Sequence, residues 1–268
     1  MKSILLHVYD DTALESRMQA AFDLARAFGG HLTCVHATPY EDYLAVDPLI
    51  VAVLPEEFSE QMEGQRLKLQ ARVEARLRVE GLSWDWIHVD SRARNALVRF
   101  SALADLVVVS QASSALYENE PRAVAGAVAI GAKAPVLVVP EAASGLDLNV
   151  PMLVAWNGSP EAAVALRWAM PLLQLAAEVH VLIVQDRLED YPSDGAARYL
   201  ARHGIEPEIV QRPAGTGIGS AIAAAGLELG AGLIVMGAYG HSRLRELIFG
   251  GATRELLASS PLPLLLAH

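Results

Sequence analysis

At 268 residues the chain is too long for one typical core and suits two domains of about 100 to 150 residues each. Hydrophobic residues at 53% and a formal net charge of −10 describe a compact acidic globule, which excludes a basic nucleic-acid binder whose Lys and Arg must neutralise phosphates. Cys34 is the only cysteine, so no intrachain disulfide and no thiolate metal cluster can form, as expected of an intracellular, cytoplasmic protein.

The apolar run from Ile4 to Tyr9, interrupted by His7 and closed by Asp10 and Asp11, has strand length and is too short for a signal-peptide core or a membrane span. Apolar residues then recur at helical spacing to Phe28, where Gly29 and Gly30 end the helix. His31 to His36 reads as a second strand, Glu56 to Glu80 as a long charged amphipathic helix and Asp85 to Val89 as a third strand. Leu106 to Val109 supplies a fourth strand, Leu116 to Lys133 a helix and Val136 to Val139 a fifth strand stopped by Pro140. The stretch between Pro39 and Pro55, with Tyr40, Tyr43, Leu44 and Leu49, is unusually apolar for a connection and suits a cleft cover or a partner surface.

Small and polar residues from Glu141 to Asn149 break the periodicity, and the programme then restarts, separating a unit at 1–141 from a second at 150–268. Strands are expected at Met152–Trp156, Val179–Val184, Pro207–Gln211, Leu233–Met236 and Pro263–Ala267. Helices are expected at Ser159–Ala176, Ala196–His203, Ile218–Leu229 and Leu244–Ala258. DLVVVS at 105–110 lies on GLIVMG at 232–237, and APVLVV at 134–139 on LPLLLA at 262–267, as a duplicated domain requires. Strands alternating with helices, several of them Val/Leu-rich throughout, indicate an α/β fold with parallel sheets covered on both faces.

The most informative stretch is Gly237-Ala-Tyr-Gly240, nine residues from His241 to Phe249, then Gly250-Gly251-Ala252-Thr253. It follows a strand and opens into a helix, where glycines let the backbone approach a ligand and unpaired N–H groups favour an anion such as phosphate. Glycines also serve plain strand-to-helix turns, but the ordered spacing favours the nucleotide. The corresponding loop of the first unit, from Ser110 to Arg122, has no glycine, so no ATP site of the usual form is expected there.

G-x2-G-x9-G followed by a small residue, after the fourth strand of such a unit, resembles the ATP-binding signature of the universal stress protein family. The opening MLVAWNGS of 152–159 and the closing PLLL of 263–266 resemble the family's first and last strands. The resemblance implies two tandem, doubly wound, five-stranded parallel sheets of adenine nucleotide alpha hydrolase-like fold, strand order 3-2-1-4-5. It also implies an intramolecular pseudo-dimer through the fifth strands, with room for a further homodimer or a protein partner. By resemblance Ala155 and Asn157 lie beside adenine, Val184 lines the base, and Met236 and Gly237 lie by the ribose. Gly240, Gly250 and Gly251 hold the phosphates, Ala252 and Thr253 begin the helix behind them, and His241 occupies a common family position near the phosphates. Asn157 stands where the family often has Asp, and Gly251 where it usually has Ser or Thr. In the first unit Asp10 resembles the adenine-contacting acid, or else caps the next helix.

Other motifs point elsewhere with less force. Gly215-Thr-Gly-Ile-Gly-Ser220 departs from a dinucleotide loop at Ser220 and reads as a turn and helix start. A P-loop lysine, an H-E-x-x-H pair and a G-x-S-x-G elbow are all absent from the sequence, and its eight histidines lack metal spacing. Arg243, Arg245 and Arg254 could assist a triphosphate or simply form a solvated helix face. The implied function is a universal stress response protein that binds ATP, with or without Mg²⁺, as a regulatory ligand of the second unit. No general base or activated nucleophile is evident, so no enzyme is expected beyond weak ATP hydrolysis. A ligand-free interaction module and a slow nucleotide hydrolase are the alternatives, and neither a nucleic-acid nor a membrane partner is expected.

Overall fold

The computed structural model of the chain describes residues 1–39, 55–111, 121–185, 194–238 and 251–268. The first half runs β1 (Ser3–Val8), α1 (Leu14–Phe28), β2 (His31–Ala37), α2 (Pro55–Glu80), β3 (Ser83–Val89), α3 (Ala93–Phe100), β4 (Leu106–Ser110), α4 (Pro121–Gly131) and β5 (Val136–Val139). The second runs β6 (Met152–Ala155), α5 (Pro160–Leu173), β7 (Val179–Gln185), α6 (Gly195–Arg202), β8 (Glu208–Pro213), α7 (Ile218–Glu228), β9 (Leu233–Gly237), α8 (Gly251–Ser259) and β10 (Leu264–Ala267).

Local chemistry sets the helix ends. After α1 the backbone turns left-handed at Gly29, φ 53°, and Gly30 N–H returns to the Ala25 carbonyl at 2.8 Å, a closure that a side chain at Gly29 would strain. Ser159 caps α5 by accepting the Ala162 N–H at 3.1 Å, Pro160 fits the first turn, and Glu161 adds an acid where the helix dipole favours one.

The strands form one sheet in the order β3-β2-β1-β4-β5-β10-β9-β6-β7-β8. Each half has the order 3-2-1-4-5 with parallel neighbours, and the halves meet where β5 pairs antiparallel with β10, Leu137 opposite Leu265. The expected pairing of two five-stranded sheets through their fifth strands is thus a single ten-stranded sheet. Because side chains alternate across a strand, Leu6, Val108, Leu137, Val154 and Val235 face one layer with α1, α2, α5 and α6. Leu5, Val107, Val138, Leu153 and Ile234 face the other, with α3, α4, α7 and α8. Both apolar layers cross the β5–β10 joint, so the halves share their cores. The stretch joining them is itself packed: Leu146 and Leu148 are buried, and Leu146 N–H donates to Asp23 Oδ2 at 2.8 Å.

Helix α3 was not among the expected elements. Its first turn carries no acid and Arg92 provides no side-chain cap, so the terminal signals are missing, although Ala93, Ala96 and Leu97 are buried on one face. Residues 112–120, 40–54 and 241–250, within which parts of the expected Leu116–Lys133 and Leu244–Ala258 helices and the apolar stretch after Pro39 fall, lie outside the described residues. Among the described residues no helix is long and apolar enough to cross a membrane.

Candidate functional site

In a doubly wound sheet the crevice forms at the carboxyl ends of strands one and four, where the connections leave in opposite directions. In the second half these are β6 and β9. Ala155 pairs in register with Met236, and both belong, with Val184 at the end of β7, to the apolar layer on the α7 and α8 side. Met236 is buried while Ala155 and Val184 are half-buried, giving an apolar floor at the strand ends. Helix α8 runs antiparallel to its strands, so its N-terminus lies at the same end. Gly251 opens it, exposed, with nothing within 4 Å of where a Cβ would stand; Ala252 is half-buried and Thr253 buried. Gly240, His241 and Gly250, like Arg243 and Arg245, lie outside the described residues.

Two of the expected ligand residues have duties of their own. Asn157 is exposed, and its Oδ1 accepts the Ser159 N–H at 3.1 Å, so the side chain shapes the turn before α5 and leaves its amide N–H groups for a ligand. Gly237 sits against the start of α5, where an added Cβ would stand 2.5 Å from the Ala162 nitrogen and 2.6 Å from the Glu161 carbonyl carbon. Its lack of a side chain is required by helix-on-strand packing whether or not a ribose lies beside it. One oxygen of Glu161, Oε2, is buried there without a hydrogen-bond partner among the described residues.

In the first half the same crevice is filled from within. Arg17, on α1, is fully buried, and its guanidinium spends every N–H on the ends of β1 and β4. Nε donates to the His7 carbonyl at 2.7 Å, Nη2 to the Tyr9 carbonyl at 2.9 Å and to Asp11 Oδ1 at 3.2 Å, and Nη1 to Asp11 Oδ2 at 3.2 Å and to the Ser110 hydroxyl. Burial pulls the guanidinium down from its ordinary value and Asp11 opposes that pull. About 20 Å³ of free space remains among His7, Arg17, Ser110 and Gln111, the room of a single water. His7 is buried with Nε2 unpartnered among the described residues, and burial first, then Arg17 and His36, hold its ring well below the ordinary imidazole value.

Strand register makes the halves comparable. Leu6 pairs with Val108 as Val154 pairs with Val235, which sets His7 on Ala155, Tyr9 on Asn157, Asp11 on Ser159, Arg17 on Ala165 and Ser110 on Gly237. Asp10 is therefore one residue off the position of Asn157. It is exposed, pairs with Arg72 at 2.6 Å, and does not cap α1, whose cap position is Ala13 without a side-chain bond. Arg17 itself is missing from the sequence-based candidates, although it falls in the stripe Leu14, Arg17, Met18, Ala21, Phe22, a charge on a core face.

The Gly215–Ser220 stretch has the expected role of turn and helix start. Gly217 and Gly219 admit the Glu255 side chain of α8, whose Oε2 would lie 3.1 Å and 2.5 Å from added Cβ atoms. Among the described residues no group of three or more His, Cys, Asp or Glu could hold a metal ion.

No family model matches the sequence, and no curated protein matches it. The fold does have solved relatives. The crystal structure of a universal stress protein from Archaeoglobus fulgidus superposes with a TM-score of 0.71 at 18% identity, covering 98% of this chain and 97% of that one. A functionally unknown protein from Pseudomonas aeruginosa superposes with a TM-score of 0.61 at 16% identity, covering 100% of this chain and 92% of that one. Likeness over the full length means that the fold is shared across both halves.

Proposed function

From the universal-stress-protein fold that this chain has, we propose that it consists of two tandem units, 1–141 and 150–268, of which the second binds ATP or a related adenine nucleotide as a regulatory ligand. The observation that carries the reading is the difference between the two crevices. Where Arg17 and its acceptors His7 and Ser110 close the first, the second has Ala155, Ala165 and Gly237 at the corresponding positions, so no guanidinium arises from α5 as Arg17 does from α1. The small apolar floor of Ala155, Val184 and Met236 suits a flat base, and the open approach to Gly251 at the start of α8 suits phosphate. Gly240 and Gly250 belong to this reading through their spacing in the sequence. A resident of the cytoplasm that answers stress through nucleotide occupancy needs no general base, and none is assigned.

The test is calorimetric titration of ATP with Mg²⁺ into protein stripped of nucleotide. One site is expected, lost in Gly250→Val. Asn157→Asp keeps the oxygen that the turn requires and replaces the amide N–H groups with a charged acceptor for the adenine amino group, which is expected to tighten ATP about 5-fold for a bond stronger by about 1 kcal/mol. Absence of heat and of thermal stabilisation in both the wild type and Asn157→Asp would favour the ligand-free interaction module instead.

A further inference from the structure

Another cluster, outside both crevices, stands at the amino ends of β2 and β3, on the face that carries α3. His31 and Ser83 are register partners there, and Asp85 lies two residues along β3, so all three side chains emerge on one face of the sheet. Ser83 Oγ lies 2.7 Å from His31 Nδ1, and Asp85 Oδ2 lies 3.0 Å from His31 Nε2. Ser83 and Asp85 are exposed and His31 is half-buried, which leaves the hydroxyl open to solvent.

The groups themselves fix the direction of each bond. A carboxylate only accepts, so the neutral His31 ring carries its hydrogen on Nε2 and turns the lone pair of Nδ1 toward Ser83. The Ser83 hydroxyl therefore donates to a base that Asp85 holds in tautomer and orientation. Serine, imidazole and carboxylate linked in that order activate an oxygen nucleophile, and the relay is defined by geometry and roles, whatever the order in the chain. Assembly across strands, from a serine and a histidine 52 residues apart, leaves no elbow motif in the sequence.

A donor for a developing oxyanion stands beside the nucleophile. The Val89 carbonyl accepts the Thr38 N–H at 3.0 Å, so the odd-numbered residues of β3 turn their backbone groups toward β2 and the even-numbered ones turn theirs away. Among the described residues β3 ends the sheet, and the N–H of Trp84, directly after Ser83, faces that open edge.

We propose that Ser83 is a nucleophile that accepts an acyl group from small activated esters, with His31 as its base and Asp85 as the positioning residue. The Ser83 O–H proton passes to His31 Nδ1 as Oγ bonds to the acyl carbon; the tetrahedral adduct then breaks its bond to the ester's alcohol oxygen, and the alcohol leaves carrying that proton. The trio sits at the rim opposite the carboxyl ends of β1 and β4 and belongs to the first half, so its reaction is independent of nucleotide.

4-Nitrophenyl acetate is the probe. Protein treated with it is quenched in acid and mapped by peptide mass spectrometry, which reads the acetyl group on Ser83 against that on the exposed Lys68 and Lys133 of the same molecule. Acetyl-Ser83 is expected in the wild type, about 100-fold slower to form in His31→Gln, where the base is gone, and absent in Ser83→Ala. Asp85→Asn is expected to slow it about 10-fold and Asp85→Glu to restore part of the rate, with the lysines reacting alike in every variant. All these positions lie at the surface, so melting temperatures should stay close to that of the wild type and the comparison is made between folded proteins. Acetyl on the lysines alone, or acetylation of Ser83 at an unchanged rate in His31→Gln or in Asp85→Asn, would overturn the proposal.

Discussion

Replacement of Arg17 by methionine is expected to destabilise the protein by about 3 to 5 kcal/mol, a drop in melting temperature of about 10 °C. Methionine occupies much of the volume but donates nothing, so the Asp11 carboxylate, the His7 and Tyr9 carbonyls and the Ser110 hydroxyl lose their shared partner at once. The loss is large because it leaves acceptors unmet in the interior, not because the intact pair is worth that much against solvent. Arg17→Lys should recover only part of it, since an ammonium offers three donors from one point where the guanidinium offers a planar fork of five. Thermal melts of the two variants decide the matter: a methionine variant within about 2 °C of the wild type would mean that the network carries no net weight.

Gly237→Val is expected to cost about 3 kcal/mol or more in protein free of any nucleotide. The atoms it would strike, Ala162 N and Glu161 C, belong to the backbone of the first turn of α5 and cannot swing aside as a side-chain tip could. The strand end and the helix must separate, and the Ser159 cap with them. Gly251→Ala is the matched control. Space is open there, so its stability should stay within about 0.5 kcal/mol of the wild type, and any effect of that variant on ATP binding would report on the ligand and not on the fold. Urea denaturation of the apo proteins, followed by titration with ATP, separates the two effects.

Most of the architecture was legible in the sequence. The repeated DLVVVS and GLIVMG strands, and the paired last strands, sufficed for parallel sheets because a buried parallel strand must be apolar throughout, while the order 3-2-1-4-5 came from the family resemblance. What escaped depends on relations between distant residues. Arg17 looks like one charged residue in a helix until Asp11 and Ser110, one near and one 93 residues away, are brought to its guanidinium. The position of Asp10 relative to Asn157 turned on a shift of one residue, which only the pairing of β1 with β4 and of β6 with β9 resolves. Gly237 belongs to the signature by its spacing, yet its packing requirement is visible only once α5 lies against it. Helix α3 lacked terminal signals and had only a short apolar face to announce it.

The antiparallel meeting of β5 and β10 turns the two crevices toward opposite rims of the sheet. In a dimer of identical chains every substitution appears twice, and a residue such as Arg17 that closes one crevice would close both. Covalent fusion removes that symmetry. One half is free to fill its opening with a permanent side chain and serve as a rigid abutment, while the other is under no obligation to do the same, and a single chain then presents two unlike faces to its surroundings.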